Sequence, residues 1–509
     1  GQYNVGGAQN TIVGYLAGRN NTGHYNTILG YDAGQSQTSA SRNTFLGYGA
    51  GKDFTQTGDS YNTAVGMYAM FDIETGSANV AVGYQALDGA NGTDNDRNVA
   101  MGSQALFSSA GGSGNVGIGY KAGYSITTGH TNVAIGEEAG YNITEAIRSQ
   151  FIGAAAGGSV TTAQYNTIMG YQAGHSLTVT GNNVLIGKYA GRELTKDYST
   201  MVGINAGQNT STGINNTYIG ASAAKNSSTG YYNVAVGNNA GNYLSGATGR
   251  VDVGYGAGYY VSGNGNTFIG KMAGYGDGTQ TTNTANYNTA VGLESMKDIT
   301  SGFYNVGMGY NALANITGGD YNVVLGTQAG EAITTQNENT LVGNYAGQDL
   351  TGQYNVFLGS SAGFNATTSD NNVAIGRQAL GSAVLTGDSN VALGYRAGYA
   401  HTTGDDNIFI GTSAGVASTT AAANVAIGKD AMKAAQDSSN GGQNSLIGFG
   451  VYVDGTGHRN AMLGYRAGYT ATSANSNVYI GYEAGYKNTT GDANVFIGNK
   501  AGPSSTSTD

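Results

Sequence analysis

Two stretches have the spacing of a nucleophile elbow, G-x-S-x-G: residues 359–363 read GSSAG and 411–415 read GTSAG. Such an elbow needs a strand turning sharply into a helix, with a histidine and an acid to activate the serine. Five histidines, His24, His130, His175, His401 and His458, are scattered without metal-ligand spacing. They read as solvent-exposed residues of inter-strand segments. The stretch 88–97, DGANGTDNDR, gathers Asp88, Asp94 and Asp96 with Asn91 and Asn95. Calcium takes oxygen donors of this kind, but the spacing matches no calcium-loop pattern, and a solvated acidic loop is the expectation. The cluster 254–258, GYGAG, resembles a phosphate-cradling loop in composition only, because no helix follows. The sequence therefore yields no catalytic residue, no cofactor and no metal site.

These candidates all sit inside a repeat. Counting its asparagine as position 1, the repeat occurs 29 times between Asn10 and Asn494, most often in steps of 17. Position 1 is Asn in 26 copies, the exceptions being Ser149, Ser199 and Arg250. Position 4 is always Val, Ile, Leu or Met, and position 5 is always Gly, from Gly14 to Gly498. Position 8 is Ala except at Ser295 and Val451, and position 9 is Gly in 20 copies. Ser361 and Ser413 occupy the variable seventh position, which is Glu138 and Gln172 elsewhere.

Seventeen residues are too few for a helical repeat. A β-branched residue at position 2 and an aliphatic at position 4, followed at once by Gly, read as a short strand and a turn. The expected fold class is all-β, a β-solenoid of about 29 coils of about 17 residues. A worn start covers 1–9, the repeats 10–502 and a polar tail 503–509, where Pro503 stops the ladder. Position 4 is expected to fill the lumen, Gly at position 5 to supply a backbone angle closed to side chains, and Ala at position 8 to face a close wall. Stacked Asn at position 1 is expected to form an amide ladder. Position 3, apolar or Gly in 28 of 29 copies with Asp252 the exception, then points outward. An apolar stripe of that length needs a cover, so a homo-oligomer of parallel chains is expected. Tyrosine stands at position 6 in 11 copies, as at Tyr31, Tyr84, Tyr171 and Tyr482, and reads as cross-coil packing. Loops that break the period, around 274–287 and before Asn62, Asn98 (88–97) and Asn444, are the candidate binding loops.

Composition agrees. Glycine is 88 of 509 residues, proline 1, and cysteine and tryptophan are absent. Apolar residues make up 39%, too many for a flexible linker. The formal net charge of −10 disfavours nucleic acid as a partner, and no run of about 18 apolar residues suits a membrane span. The start at Gly1, without a basic and apolar leader, reads as a processed chain or a segment of a longer one.

The phrases NVAIGEEAG at 132–140, NVAIGRQAL at 372–380 and NVAIGKDAM at 424–432 resemble the head repeats of trimeric autotransporter adhesins. NTIMGYQAG at 166–174 and NVAVGYQAL at 79–87 are similar to repeats of some phage tail fibres and tail-fibre-like surface proteins. The resemblance spans nearly the whole chain. It implies a left-handed parallel β-roll, three chains about a threefold axis, and a role in adhesion. The adhesin coil is shorter, so the extra residues are expected to lengthen a loop, and no anchor barrel, coiled-coil stalk, or chaperone or peptidase tail of those fibres is read in residues 1–509.

The expected function is a non-enzymatic extracellular fibre, adhesive or structural, at the cell surface. Its partners would be copies of itself and a surface glycan or receptor. The alternative is a bacteriophage tail fibre, part of a virion, that binds a host receptor. An ice-binding solenoid would need a regular threonine array, whereas threonine at position 2 alternates with valine. A polysaccharide lyase would need acids and bases clustered on consecutive coils, which the sequence does not provide.

Overall fold

The computed structural model describes residues 7–89, 95–279, 283–433, 442–452 and 456–502. The chain divides into two compact units, Gly1–Arg250 and Val251–Asp509, each built in the same way. Both are parallel β-solenoids, and no helix occurs among the described residues. The tail 503–509 with Pro503 lies outside the described residues, as do 90–94, 280–282 and 434–441 of the insertions before Asn98, Asn288 and Asn444.

Positions 2 to 4 form one three-residue strand per coil, such as Thr27–Leu29 and Val133–Ile135. Within each unit these strands pair in parallel and in register, position on position. Thr27 pairs with Thr44, Ile28 with Phe45 and Leu29 with Leu46. A strand ends after three residues because Gly at position 5 takes φ between +125° and +147°, in the left-handed half that L side chains avoid. Space closes the site as well: a β-carbon on Gly136 would lie 2.8 Å from the carbonyl carbon of Gly153 in the next coil.

The asparagine ladder is present. The backbone N–H of Asn43 donates to Oδ1 of Asn26 at 2.9 Å, and Asn26 Nδ2 donates to the Ala40 carbonyl at 2.9 Å. The same bond recurs from Asn322 to Asn305 at 2.9 Å and from Asn339 to Asn322 at 3.0 Å. Each amide thus serves one orphan N–H and one orphan carbonyl at the coil's corner. Ser149 keeps the ladder through its hydroxyl, which accepts from Asn166 N at 3.2 Å.

The direction of the strand's side chains corrects the sequence reading. Position 3 faces inward: Ile28, Phe45, Ala134, Phe151 and Leu341 are all fully buried. Positions 2 and 4 face outward, as the half-buried, buried, half-buried pattern of Val133–Ile135 shows. The reason is parity. Side chains along a strand alternate, and the buried asparagine at position 1 places position 3 on its own side. The lumen is filled by position 3, by Ala at position 8, and by an aliphatic at position 12 such as Ile126, Ile143 or Leu177. Asp252 at position 3 and Arg250 at position 1 are likewise buried.

Candidate functional site

With position 3 inside, the outward strand face becomes the candidate surface. It carries three rows along each unit: mostly Thr or Val at position 2, an aliphatic at position 4, and a variable, often aromatic, residue at position 6. Leu29, Met101, Met308 and Leu463 of the second row are 43%, 44%, 41% and 49% exposed. The third row is a ring ladder in places. Tyr31 stacks on Tyr15 and on Tyr48 with centroids 5.1 Å apart in both pairs. A second tyrosine row precedes the strand, where Tyr304 lies 5.2 Å from Tyr287 and 5.3 Å from Tyr321. These stacks match the cross-coil packing expected from sequence. Each ring face covered by a neighbour is closed to a ligand, and edges and hydroxyls remain open.

The elbow serines are turn residues. Ser361 and Ser413 have φ of +56° and +58°, and their N–H groups donate to Asn344 and Tyr395 carbonyls, both at 2.9 Å. The described contacts give neither hydroxyl a histidine or carboxylate partner. The described residues of the acidic insertion bond to different partners. Asp96 Oδ1 accepts from the N–H of Ser77 at 2.7 Å and its hydroxyl at 2.9 Å, while buried Asn95 binds the Ser109 hydroxyl at 2.6 Å. Asp94 and Asn91 lie outside the described residues. Among the described residues no group of three or more His, Asp or Glu could hold a metal ion. Asp88 is buried beside Gln85 Nε2, 3.2 Å away, and its carboxyl is pushed up to about 6 by burial, with the Asp72 carboxylate adding to it.

One histidine departs from the sequence reading. His24 and His130 are exposed and His175 and His458 half-buried, but His401 is fully buried at position 12. Its Nε2 lies 2.8 Å from the Gly404 carbonyl and its Nδ1 3.1 Å from the Ser418 carbonyl, with Phe409 edge-on at 5.4 Å. Its ring stands where other coils place Ile or Leu, and period counting from Asn390 would have shown this.

Two further patterns escaped the sequence reading. The thirteenth position is Thr or Ser in most coils, and its hydroxyl donates along the stack: Thr127 to the Thr144 carbonyl at 3.2 Å, Thr161 to Thr178 at 3.2 Å, Thr402 to Thr419 at 2.9 Å. Those hydroxyl hydrogens are spent within the coil stack rather than on solvent. Tyr218 and Tyr479 at position 3 come with a polar twelfth residue, Ser227 and Asn488, which hydrogen-bonds the buried phenol.

No protein-family model matches this chain, and no curated protein matches it.

Proposed function

We propose that the chain is a non-enzymatic fibre protein that self-associates in parallel through its outward strand face and works as an adhesive or structural surface filament. The observation behind this reading is the aliphatic residue at position 4 of every coil, directed outward and flanked mostly by Thr or Val. In the second unit this band is roughly 10 Å wide and, with 15 strands, about 70 Å long at the usual strand spacing. The resulting ~700 Å² approaches the ~800 Å² per partner of a stable interface. Like meets like along it, so identical chains in register pair aliphatic with aliphatic. Three chains, left-handed winding and an extracellular setting come from the resemblance to adhesin heads. The likeness of NTIMGYQAG to tail-fibre repeats supports the second reading, a bacteriophage fibre that binds a host receptor.

A charge placed on the face tests the reading. Leu358→Glu with Ile375→Glu puts carboxylates on adjacent coils without touching the lumen. The variant is expected to sediment as single chains with an unchanged circular dichroism spectrum. An assembly that survives both charges overturns the proposed interface.

A further inference from the structure

The corner formed by positions 6 to 11 changes sign along the second unit. Between 251 and 371 it carries Lys271 and Lys297 against Glu294, Asp298, Glu331 and Asp349. From 372 onward the basic residues are Arg377, Arg396, Lys429 and Lys433, followed by Arg466, Lys487 and Lys500. The acids there are Asp430 and Glu483 among the described residues, paired with Lys433 at 3.4 Å and Lys500 at 3.6 Å (Asp454 falls outside the described residues). In a chain of net charge −10 this is a local reversal.

The cations are held in place. The phrase YRAGY occurs at 395–399 and 465–469, and the left-handed turn at its arginine sets that side chain between the two tyrosines. Arg396 lies 4.0 Å from the Tyr399 ring centroid and 6.0 Å from that of Tyr395. Arg466 lies 5.0 Å from Tyr469 and 5.2 Å from Tyr465. The rings are themselves stacked, Tyr465 on Phe449 at 5.4 Å and on Tyr482 at 5.2 Å, and Tyr469 on Tyr486 at 5.4 Å. Cation–π contact of this kind fixes a guanidinium without neutralising it.

We propose that this corner of residues 377–500 binds an anionic polysaccharide lying along the stack, its acidic groups meeting Arg396, Lys429, Arg466 and Lys487. Charge density selects the class of polymer. Seven cations against three acids, Asp430, Asp454 and Glu483, over eight coils leave one net charge per roughly 10 Å at the usual strand spacing. Duplex DNA presents one per ~1.7 Å, a mismatch made worse by the acidic remainder of the chain. A polysaccharide with acids spaced by one or more sugars fits that density, and tyrosine hydroxyls at the ring edges can bond its hydroxyls. The inference supplies a ligand class for the surface-filament reading and rests on that reading only for its biological setting.

The full chain is titrated at low salt with alginate, neutral dextran, duplex DNA, and phosphatidylglycerol-containing vesicles. Alginate is expected to bind and to be released by salt, and dextran not to bind. Arg396→Gln with Arg466→Gln is expected to weaken alginate binding about tenfold. Arg148→Gln with Arg192→Gln in the first unit is expected to leave it unchanged. If the arginine variant melts early, Lys429→Gln with Lys487→Gln serves in its place. Absent alginate binding, unchanged binding in both corner variants, or equal binding of DNA or vesicles overturns the proposal. Single chains that still bind alginate through this corner would refute the self-association and leave the ligand site standing.

Discussion

The ring of Phe45 fills the space that a side chain at Gly51 would need: a β-carbon built on Gly51 lies 2.7 Å from the ring. Phe45 is the third and Gly51 the ninth residue of one coil. The same relation holds between Phe357 and Gly363 at 2.3 Å, and between Phe409 and Gly415 at 2.3 Å. In some coils with alanine at position 3 the ninth residue is large, as in Ala64 with Met70, Ala81 with Leu87 and Ala374 with Leu380, all fully or almost fully buried, whereas in others both are small, as in Ala134 with Gly140 and Ala392 with Gly398. In the coils of Phe45 and Ala64 the two positions therefore share one volume. Met70→Gly should cost about 2–5 kcal/mol as a cavity and Ala64→Phe about 1–3 kcal/mol by overpacking. The double variant Ala64→Phe, Met70→Gly recreates the Phe45 and Gly51 arrangement. Urea denaturation should find it more stable than the sum of the single changes predicts by at least about 1 kcal/mol. Simple additivity would show that the two positions do not share a volume.

Glycine is required at position 5 and dispensable before the anchor, where most coils carry another residue. Gly136 combines φ of +126° with backbone 2.8 Å from any β-carbon, whereas at Gly114, φ +69°, the nearest atom is 3.7 Å away. Gly136→Ala should cost at least about 3 kcal/mol, strain and clash together. Gly114→Ala should cost about 1 kcal/mol, since non-glycine residues such as Thr131 hold the equivalent turn at φ +60°. Equal melting temperatures for the two variants would contradict the close approach at position 5.

The asparagine ladder has a gap to repair. The N–H of Ser199 donates to Asn183 Oδ1, yet the Ser199 hydroxyl has no hydrogen-bond partner. Ser199→Asn should let the new amide bond the N–H of Asn216, as its counterparts do, and raise stability by about 1–2 kcal/mol. Thermal denaturation of the variant checks this, and a lower midpoint would show that the coil cannot seat the amide.

Asp88 supplies a pH signature. Its carboxyl holds its proton up to about 6 in the fold, against 3.8 as a free side chain. Between those values the folded state carries the extra proton, so stability falls as pH rises through the window and the full penalty applies above it. Asp88→Asn removes the charge while keeping the Gln85 contact. It should stabilise by about 3 kcal/mol near pH 8 and change little near pH 4. The same gain at both pH values would assign the effect to packing instead of ionisation.

Much of the fold is legible in the repeat. The strand at positions 2 to 4, the turn at Gly14 and its equivalents, the small wall at position 8 and the asparagine ladder all follow from residue type and period. The facing of the strand was legible too, but needed one more step. An amide ladder buried at position 1 places position 3 in the lumen, so reading position 4 as lumen conflicts with the ladder itself. The β-branched preference at position 2 misled because outward residues on a strand share it. His401 and the volume shared by Phe45 and Gly51 needed comparison across coils, since each makes sense only against the residue that other coils place there. The YRAGY corner escaped because its tyrosines and arginine look variable when each position is counted alone.

The solution mass of the intact chain, by sedimentation equilibrium across a concentration series, tests most directly whether the outward aliphatic face is an interface between copies. The account predicts an assembly of three chains that stays intact on dilution and falls to single chains when Leu358 and Ile375 become glutamate. A folded single chain at every concentration, with the face of positions 2 and 4 left in water, would contradict it.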